Sequence, residues 1–390
     1  MEKSMEIKDD RYSRLDIITW WDRNVLSSAH IMVVGCGALG NEIIKNLVML
    51  GIGNIYLVDM DAVEKSNLTR SVLFRKEDEG KSKAETAAIR AKEINDEVNI
   101  HYFDGSIYEL GLGIFKKMDI VICGLDNREA RLFVNQSCWK VSTPWIDGAI
   151  EVLNGIARMF IPPDGVDYES TMTETDYKLL NYRKSCLLLG IDDIEQGKIP
   201  TTPTIASIIG GIEVQEAVKY LHGENDLLIL DGKGFVYNGN TNESYIVEYQ
   251  IKEDCNSRYT FNKINMSGIN YSKATLSDVK DFGSKFFGDD FTVEFNNEVV
   301  YKLSDGETGS GKGYFANLNL LKSSDIKEGE NILKVHTFHS LNINSDLFKE
   351  LLNMKLSDLH IPSNDILILR KENKEEYIGF GFSEIFKEVK

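Results

Sequence analysis

At 390 residues, with 42% hydrophobic and 27% charged residues, the chain has the length of two domains and an ordinary globular composition. A net charge of −17 argues against nucleic-acid binding, which rests on clustered lysine and arginine, and leaves plain solubility or an acidic surface that draws a basic partner. No run reaches the roughly 18–20 apolar residues of a bilayer span, and the polar start MEKSMEIKDDRYSR lacks a signal core, so no membrane association and a cytoplasmic location are expected. The five scattered cysteines fit a reducing compartment rather than a disulfide framework.

In chain order, HIMVV (30–34) reads as a buried strand and 41–50 as the helix after it. NIYLV (54–58) is a second strand, and 81–93 an amphipathic helix. Strands near 98–103 and at DIVIC (119–123) precede a helix over 128–141. Strands alternating with helices at this spacing predict a Rossmann-like α/β fold with a doubly wound, mostly parallel sheet. A crossover loop of about 162–202 leads into a helix over 203–221, and runs at 227–230, 234–238 and 245–249 predict antiparallel edge strands. A polar linker over 252–267 separates a first unit (1–255) from a small α+β domain (268–390). In that second unit, 291–295, 331–338 and 366–370 read as strands, and 276–287 and 347–354 as helices.

Gly35, Gly37 and Gly40 form GCGALG between a buried strand and a helix, which lets backbone N–H groups and the helix N-terminus approach phosphate. Asp59 ends the next strand, placed for a ribose hydroxyl. This much also fits an NAD-dependent oxidoreductase. The series that follows is different: Asp61, then SNLTR with Asn67 and Arg70, then GKSK with Lys83, then LDN with Asp126. Cations to neutralise phosphates and a carboxylate for Mg2+ are what adenylation by ATP requires.

Over about residues 11–250 the sequence resembles the ThiF/MoeB/ubiquitin-activating superfamily, through RYSR (11–14), VVGCGALG (33–40), LVDMDAVEKSNLTR (57–70), GKSK (80–83), GLDN (124–127) and PTIASIIGGIEVQEAVKYL (203–221). The resemblance implies that Asp59 binds ribose, that Asn67, Arg70 and Lys83 hold the phosphates of ATP, and that Asp126 organises Mg2+. It also implies a homodimer in which Arg14 reaches across as an arginine finger. Ser71 stands where the family usually has Gln.

Many relatives bind structural zinc through two CxxC pairs, whose positions here are Asp167, Ser170, Cys255 and Arg258, so no structural zinc is expected. The family often places its reactive cysteine in the crossover loop, where Cys186 lies beside Arg183 and Lys184, cations that favour a thiolate. Cys123 and Cys138 read as core residues, and Cys36 as a small residue of the glycine turn. Three functions remain open. The first is adenylation of a ubiquitin-like protein's C-terminal glycine, thioester capture on Cys186 and hand-off to a conjugating enzyme. The second is a ThiF/MoeB-type sulfur-carrier adenylyltransferase. The third is an oxidoreductase or an inactive nucleotide-binding subunit.

Overall fold

The computed structural model describes residues 10–177, 200–252, 255, 257–306, 308–328 and 331–389. The nucleus of the first unit is five parallel strands, β1 (His30–Val34), β2 (Asn54–Asp59), β3 (Asn99–Asp104), β4 (Ile120–Cys123) and β5 (Trp145–Glu151). They lie side by side in the order β3-β2-β1-β4-β5, with Val34 level with both Val58 and Cys123. Three antiparallel strands extend this sheet: β6 (Asn154–Phe160), β7 (Lys233–Asn238) and β8 (Glu243–Glu248).

The helices follow from local chemistry. A short α1 (Arg23–Ser28) is capped by Asp22, and α2 (Ala38–Leu50) ends on Gly51 in a left-handed conformation at φ 78°. Ser82 caps α3 (Lys83–Ile94), α4 (Leu112–Lys116) is a single turn, and Asn127 caps α5 (Arg128–Val141). Thr202 and Pro203 open α6 (Pro203–Leu221). Alternate residues of β1 feed opposite cores: Ile31 and Val33 pack under α2, α3 and α6, whereas Met32 and Val34 face α4 and α5.

The C-terminal unit is a second, mixed sheet. Its strands are β9 (Ile264–Asn270), β10 (Thr292–Ser304), β11 (Gly311–Asn317), a two-residue hairpin β12 (Lys327–Glu328) with β13 (Asn331–Ile332), β14 (Lys334–Asn342), β15 (Ile366–Lys371) and β16 (Lys374–Gly381). Helices α7 (Leu276–Phe287) and α8 (Asp346–Leu351) accompany it. The ILIL run of β15 serves two cores, Leu367 and Leu369 inside this unit and Ile366 and Ile368 against the first unit. The stretch read as a polar linker is packed: Phe261 donates its N–H to the Lys140 carbonyl at 2.8 Å and stacks on Tyr377 at 4.2 Å. The chain then returns to the first sheet, where β17 (Lys387–Glu388) pairs antiparallel with β3. Among the described residues no helix is long and apolar enough to cross a membrane.

Two expectations are corrected. Residues 227–230 form no strand, because the N–H groups of Ile229 and Leu230 donate to the Glu216 carboxylate at 2.9 and 3.0 Å instead of to a neighbouring strand. The run 331–338 is broken at Leu333 into β13 and β14.

Phe386, which precedes β17, is 6% exposed and packs edge-on to Tyr56 with ring centroids 5.2 Å apart. Replacing it with alanine should cost about 3 kcal/mol, the usual scale for a buried phenylalanine. The check is the urea midpoint, and an unchanged midpoint means the tail is not seated on the sheet.

Candidate active site

Gly35 adopts φ 93°, a left-handed conformation open to glycine, and a Cβ there would sit 2.6 Å from the Gly124 carbonyl oxygen. At Gly40 a Cβ would lie 1.9 Å from the Gly35 oxygen. Gly37, the N-cap of α2, is the opposite case: nothing lies within 4 Å of its Cβ position. The start of a 13-residue helix therefore faces open space at the carboxyl edge of the sheet, where strand order reverses between β1 and β4. Exposed amide donors and the positive end of the helix dipole suit a phosphate there.

Asp59 ends β2 and accepts from Cys36 N at 2.6 Å and Asp61 N at 2.8 Å, which ties the glycine turn to the second strand. Burial raises its carboxyl above the ordinary value, against the pull of Lys83 and these amides. Lys83, the first residue of α3, pairs with Asp61 at 2.7 Å with its side chain only 12% exposed. Burial alone would lower the Lys83 ammonium, but Asp59 and Asp61 hold it above its usual value, so it stays charged. The glycine turn, Asp59, Asp61 and Lys83 thus form one connected group.

Asn67 and Arg70 lie on the loop over 63–81, whose ends meet beside Lys83 through Val63 N to Lys81 O at 2.8 Å. Asn67 is buried and its Oδ1 accepts from Glu64 N, while Arg70 Nη1 donates to Ser66 O at 2.8 Å. The Ser71 hydroxyl is buried without a hydrogen-bond partner among the described residues. Asp126 follows β4 and is exposed, with Oδ1 accepting from Asn127 Nδ2 at 3.2 Å. A hard, accessible carboxylate at this edge fits Mg2+, which takes one or two carboxylates along with substrate phosphates.

Arg14 is not part of this group. Its segment docks at the far end of α2: Tyr12 Oη accepts from Asn95 Nδ2 at 2.7 Å, and a Cβ on Gly51 would lie 2.7 Å from the Tyr12 ring. Thirteen helical residues span about 20 Å, so the Tyr12 contact, two residues before exposed Arg14, lies the length of α2 away from the glycine turn. Cys186 lies outside the described residues. Of the other cysteines, Cys36, Cys123 and Cys138 are buried and their thiols pushed well up by burial, while the half-exposed Cys255 is also raised by burial.

Asp167, Ser170 and Cys255 come together at the zinc-equivalent position, with Ser170 Oγ 3.5 Å from Cys255 Sγ and Ser170 N donating to Asp167 Oδ1 at 2.6 Å. Arg258 instead lies over the Trp139 ring, 5.5 Å from its centroid. A hydroxyl, a carboxylate and one thiol do not fit the four Cys or His donors of a structural zinc site.

Sequence reasoning missed three groups. Asn41, fully buried, donates to the carbonyls of Cys36 and Gly37 and accepts from Leu73 N, riveting the glycine turn to the 63–81 loop. An asparagine inside an otherwise apolar helix start was its visible signal. Asp147 on β5 pairs with Arg131 of α5 at 2.6 Å and with Arg158 of β6. Glu213 of α6 is wholly buried and neither carboxylate oxygen has a hydrogen-bond partner among the described residues. A cleft of about 940 Å3 near Tyr220, Asp231, Lys233 and Ile246 contains none of these groups.

The glycine turn, the acid ending β2 and the charged series on one sheet edge coincide with a family match. Residues 11–257 fit the ThiF family. The chain belongs to the ThiF family. It is 30% identical to the SAMP-activating enzyme E1 of Haloferax volcanii over 250 residues, 63% of this chain and 87% of that protein. SUMO-activating enzyme subunit 2 of Dictyostelium discoideum is 42% identical over 124 residues, 31% of this chain but only 19% of the relative. The NEDD8-activating enzyme E1 catalytic subunit of Caenorhabditis elegans is 38% identical over 152 residues, 35% of each. This ThiF-family chain therefore spans a fifth to a third of those two longer relatives. Escherichia coli MccB solved with ATP shares the fold at a TM-score of 0.54 and 21% identity, over 65% of this chain and 75% of that one.

Burial, then the neighbouring Asp147 charge, lifts the Glu213 carboxyl well above the ordinary range. A carboxyl raised on folding stabilises fully below its unfolded value near about pH 4, and that contribution is lost as pH rises through the folded value. Glu213→Gln, which cannot ionise, should match the parent near pH 4 and melt higher at pH 8, by roughly 2 °C or more. Equal melting curves at both pH values would show that Glu213 is not held neutral.

Proposed function

We propose that this ThiF-family chain is an ATP-dependent activating enzyme for a ubiquitin-like protein. The observation that carries the reading is the open α2 N-terminus with Asp59, Lys83 and Asp126 on the same sheet edge. The 87% coverage of the SAMP-activating enzyme supports this partner class. An NAD-dependent oxidoreductase shares the glycine turn but has no use for the series Asn67, Arg70, Lys83 and Asp126.

The α2 amides, Asn67, Arg70 and Lys83 hold the triphosphate, and Asp59 holds the ribose. Asp126 would hold Mg2+, whose charge would stabilise the departing pyrophosphate. The substrate's C-terminal carboxylate oxygen attacks the α-phosphorus, the bond to the β-phosphate oxygen breaks, and pyrophosphate leaves an acyl-adenylate. Lys83, kept charged by its two carboxylates, neutralises the phosphates as charge shifts. The Cys186 thiolate then attacks the acyl carbon and AMP departs, giving a thioester ready for a conjugating enzyme. Support for this nucleophile comes from the other four thiols, three of them buried and all raised by burial. The docking of the Arg14 segment at the far end of α2 supports a homodimer in which each chain lends this arginine to its partner.

Cys186→Ala should retain substrate-dependent ATP–pyrophosphate exchange and lose the reductant-cleavable adduct with the ubiquitin-like protein. If no cysteine replacement changes the products, the enzyme stops at the adenylate and serves as a sulfur-carrier-type adenylyltransferase. Asp126→Ala should lower exchange at least about 100-fold. Mixing Arg14→Ala with Asp126→Ala protomers should restore part of the activity, since each mixed dimer carries one intact site. Mixed dimers that form and stay inactive would remove the trans assignment.

A further inference from the structure

Arg131 is almost completely buried in α5, at 7% exposure, and spends its guanidinium on three acceptors. Nε donates to Asp147 Oδ1 at 2.6 Å, and Nη2 donates both to Gly148 O at 3.1 Å and to the carbonyl of Leu125. Leu125 immediately precedes Asp126. The loop 124–126 is held from the other side as well, where the Gly124 oxygen lies against Gly35 and Gly124 N donates to Val34 O at 2.9 Å. Asn127, the next residue, is fixed as the α5 N-cap through Ala130 N at 2.8 Å. The Asp126 side chain is the exposed group in an otherwise braced segment.

We infer that Arg131 is a positioning residue: anchored by Asp147, it fixes the Leu125 carbonyl and so aims the Asp126 carboxylate at its cation. This deepens the proposed function and rests on its assignment of Asp126 to Mg2+. Buried ion pairs often contribute little net stability and are matched by apolar replacements, so stability alone does not account for this arrangement. What an apolar residue cannot supply is the directional fork, which joins Asp147 and Gly148 of β5 to the Asp126 loop through one planar group. Groups that orient a metal's ligands typically change metal affinity by about 10–100-fold when altered. Arg158 is the internal comparison. It pairs with the same buried Asp147, but its Nη1 donates to Thr171 Oγ1 at 3.2 Å, away from the Asp126 loop.

The test compares Arg131→Lys with Arg158→Lys in the full chain, each keeping the charge beside Asp147 while losing the fork. Mn2+ binding is read by electron paramagnetic resonance with a non-hydrolysable ATP analogue, and the Mg2+ concentration for half-maximal exchange is read alongside. Arg131→Lys should weaken Mn2+ binding about tenfold and shift the Mg2+ requirement equally, with activity recovered at high Mg2+, while Arg158→Lys stays within about twofold. Should Arg131→Lys fail to fold, Asp147→Asn keeps an acceptor for Arg131 while weakening its anchor, and the same shift is expected. Unchanged Mn2+ binding in the folded Arg131 variant overturns the proposal, and so does equal weakening by both lysine variants. Asp126→Ala separates the layers: if it leaves Mn2+ binding intact, the metal assignment itself has failed and the positioning role falls with it.

Discussion

The site depends on three backbones meeting with no side chain between them. Gly35, Gly40 and Gly124 approach so closely that a Cβ on either of the first two would overlap a carbonyl oxygen, and one on Gly124 would sit 2.9 Å from Gly40 N. This contact lets α2 begin directly over the gap between β1 and β4, where the chain changes direction across the sheet. Because the helix start is pinned there, its amides face the carboxyl edge rather than the core. Asn41 transmits the same constraint outward, since its amide spans Cys36, Gly37 and Leu73 and fixes the 63–81 loop relative to the turn. Asp59 does likewise for β2 through Cys36 N. The charged groups on this edge are therefore arranged by close backbone contacts, one buried amide and the Asp59 carboxylate.

The interior charges follow a different logic. Asp147 is fully buried between two guanidinium groups, whereas Glu213 of α6, against the adjacent Gly148, is buried without an ion pair among the described residues. Burial, and then the Asp147 charge it faces, drives Glu213 toward the neutral acid. A protein of net charge −17 thus keeps a cationic cluster inside, behind the edge at which phosphates would gather.

The parts legible in the sequence were those governed by local rules. The apolar run His30–Val34 and the alternation of strands with helices predict a parallel sheet because strands covered on both faces must be apolar throughout. The glycine turn and Lys83 are local as well. What stayed hidden was set by distant partners. Arg131 reads as an ordinary solvated helix charge until Asp147, 16 residues later, is folded against it. The β5–β6 hairpin carries no Gly or Asn turn signal at its left-handed residue, which is Val152 at φ 54°. Residues 227–230 have strand composition, but the Glu216 carboxylate takes the amides a strand would need. Only two residues of β17 pair with the first sheet, too few for any periodicity.

The same long-range logic makes the C-terminal unit part of the first core. Phe115, Trp145 and Val134 share one apolar cluster with Ile366, Ile368, Tyr377 and Phe386. Polar groups close the junction: Asp365 Oδ1 accepts from Leu112 N at 3.1 Å and from Asn296 Nδ2 at 3.0 Å, while Lys140 Nζ donates to Asn296 Oδ1 at 2.8 Å. Burial pushes the Lys140 ammonium down and the Asp365 carboxyl up, as expected of charges sealed between two packed units. Cutting the chain after the family-matched residues 11–257 would expose this apolar face and leave Lys140 without its acceptor. In this protein the family unit does not finish its own core. Helix α5 shows why that matters, since its first turn adjoins Asp126 and its last turn is bonded to Phe261 and Asn296. The helix that follows the Asp126 loop is thus supported at its far end by the second unit.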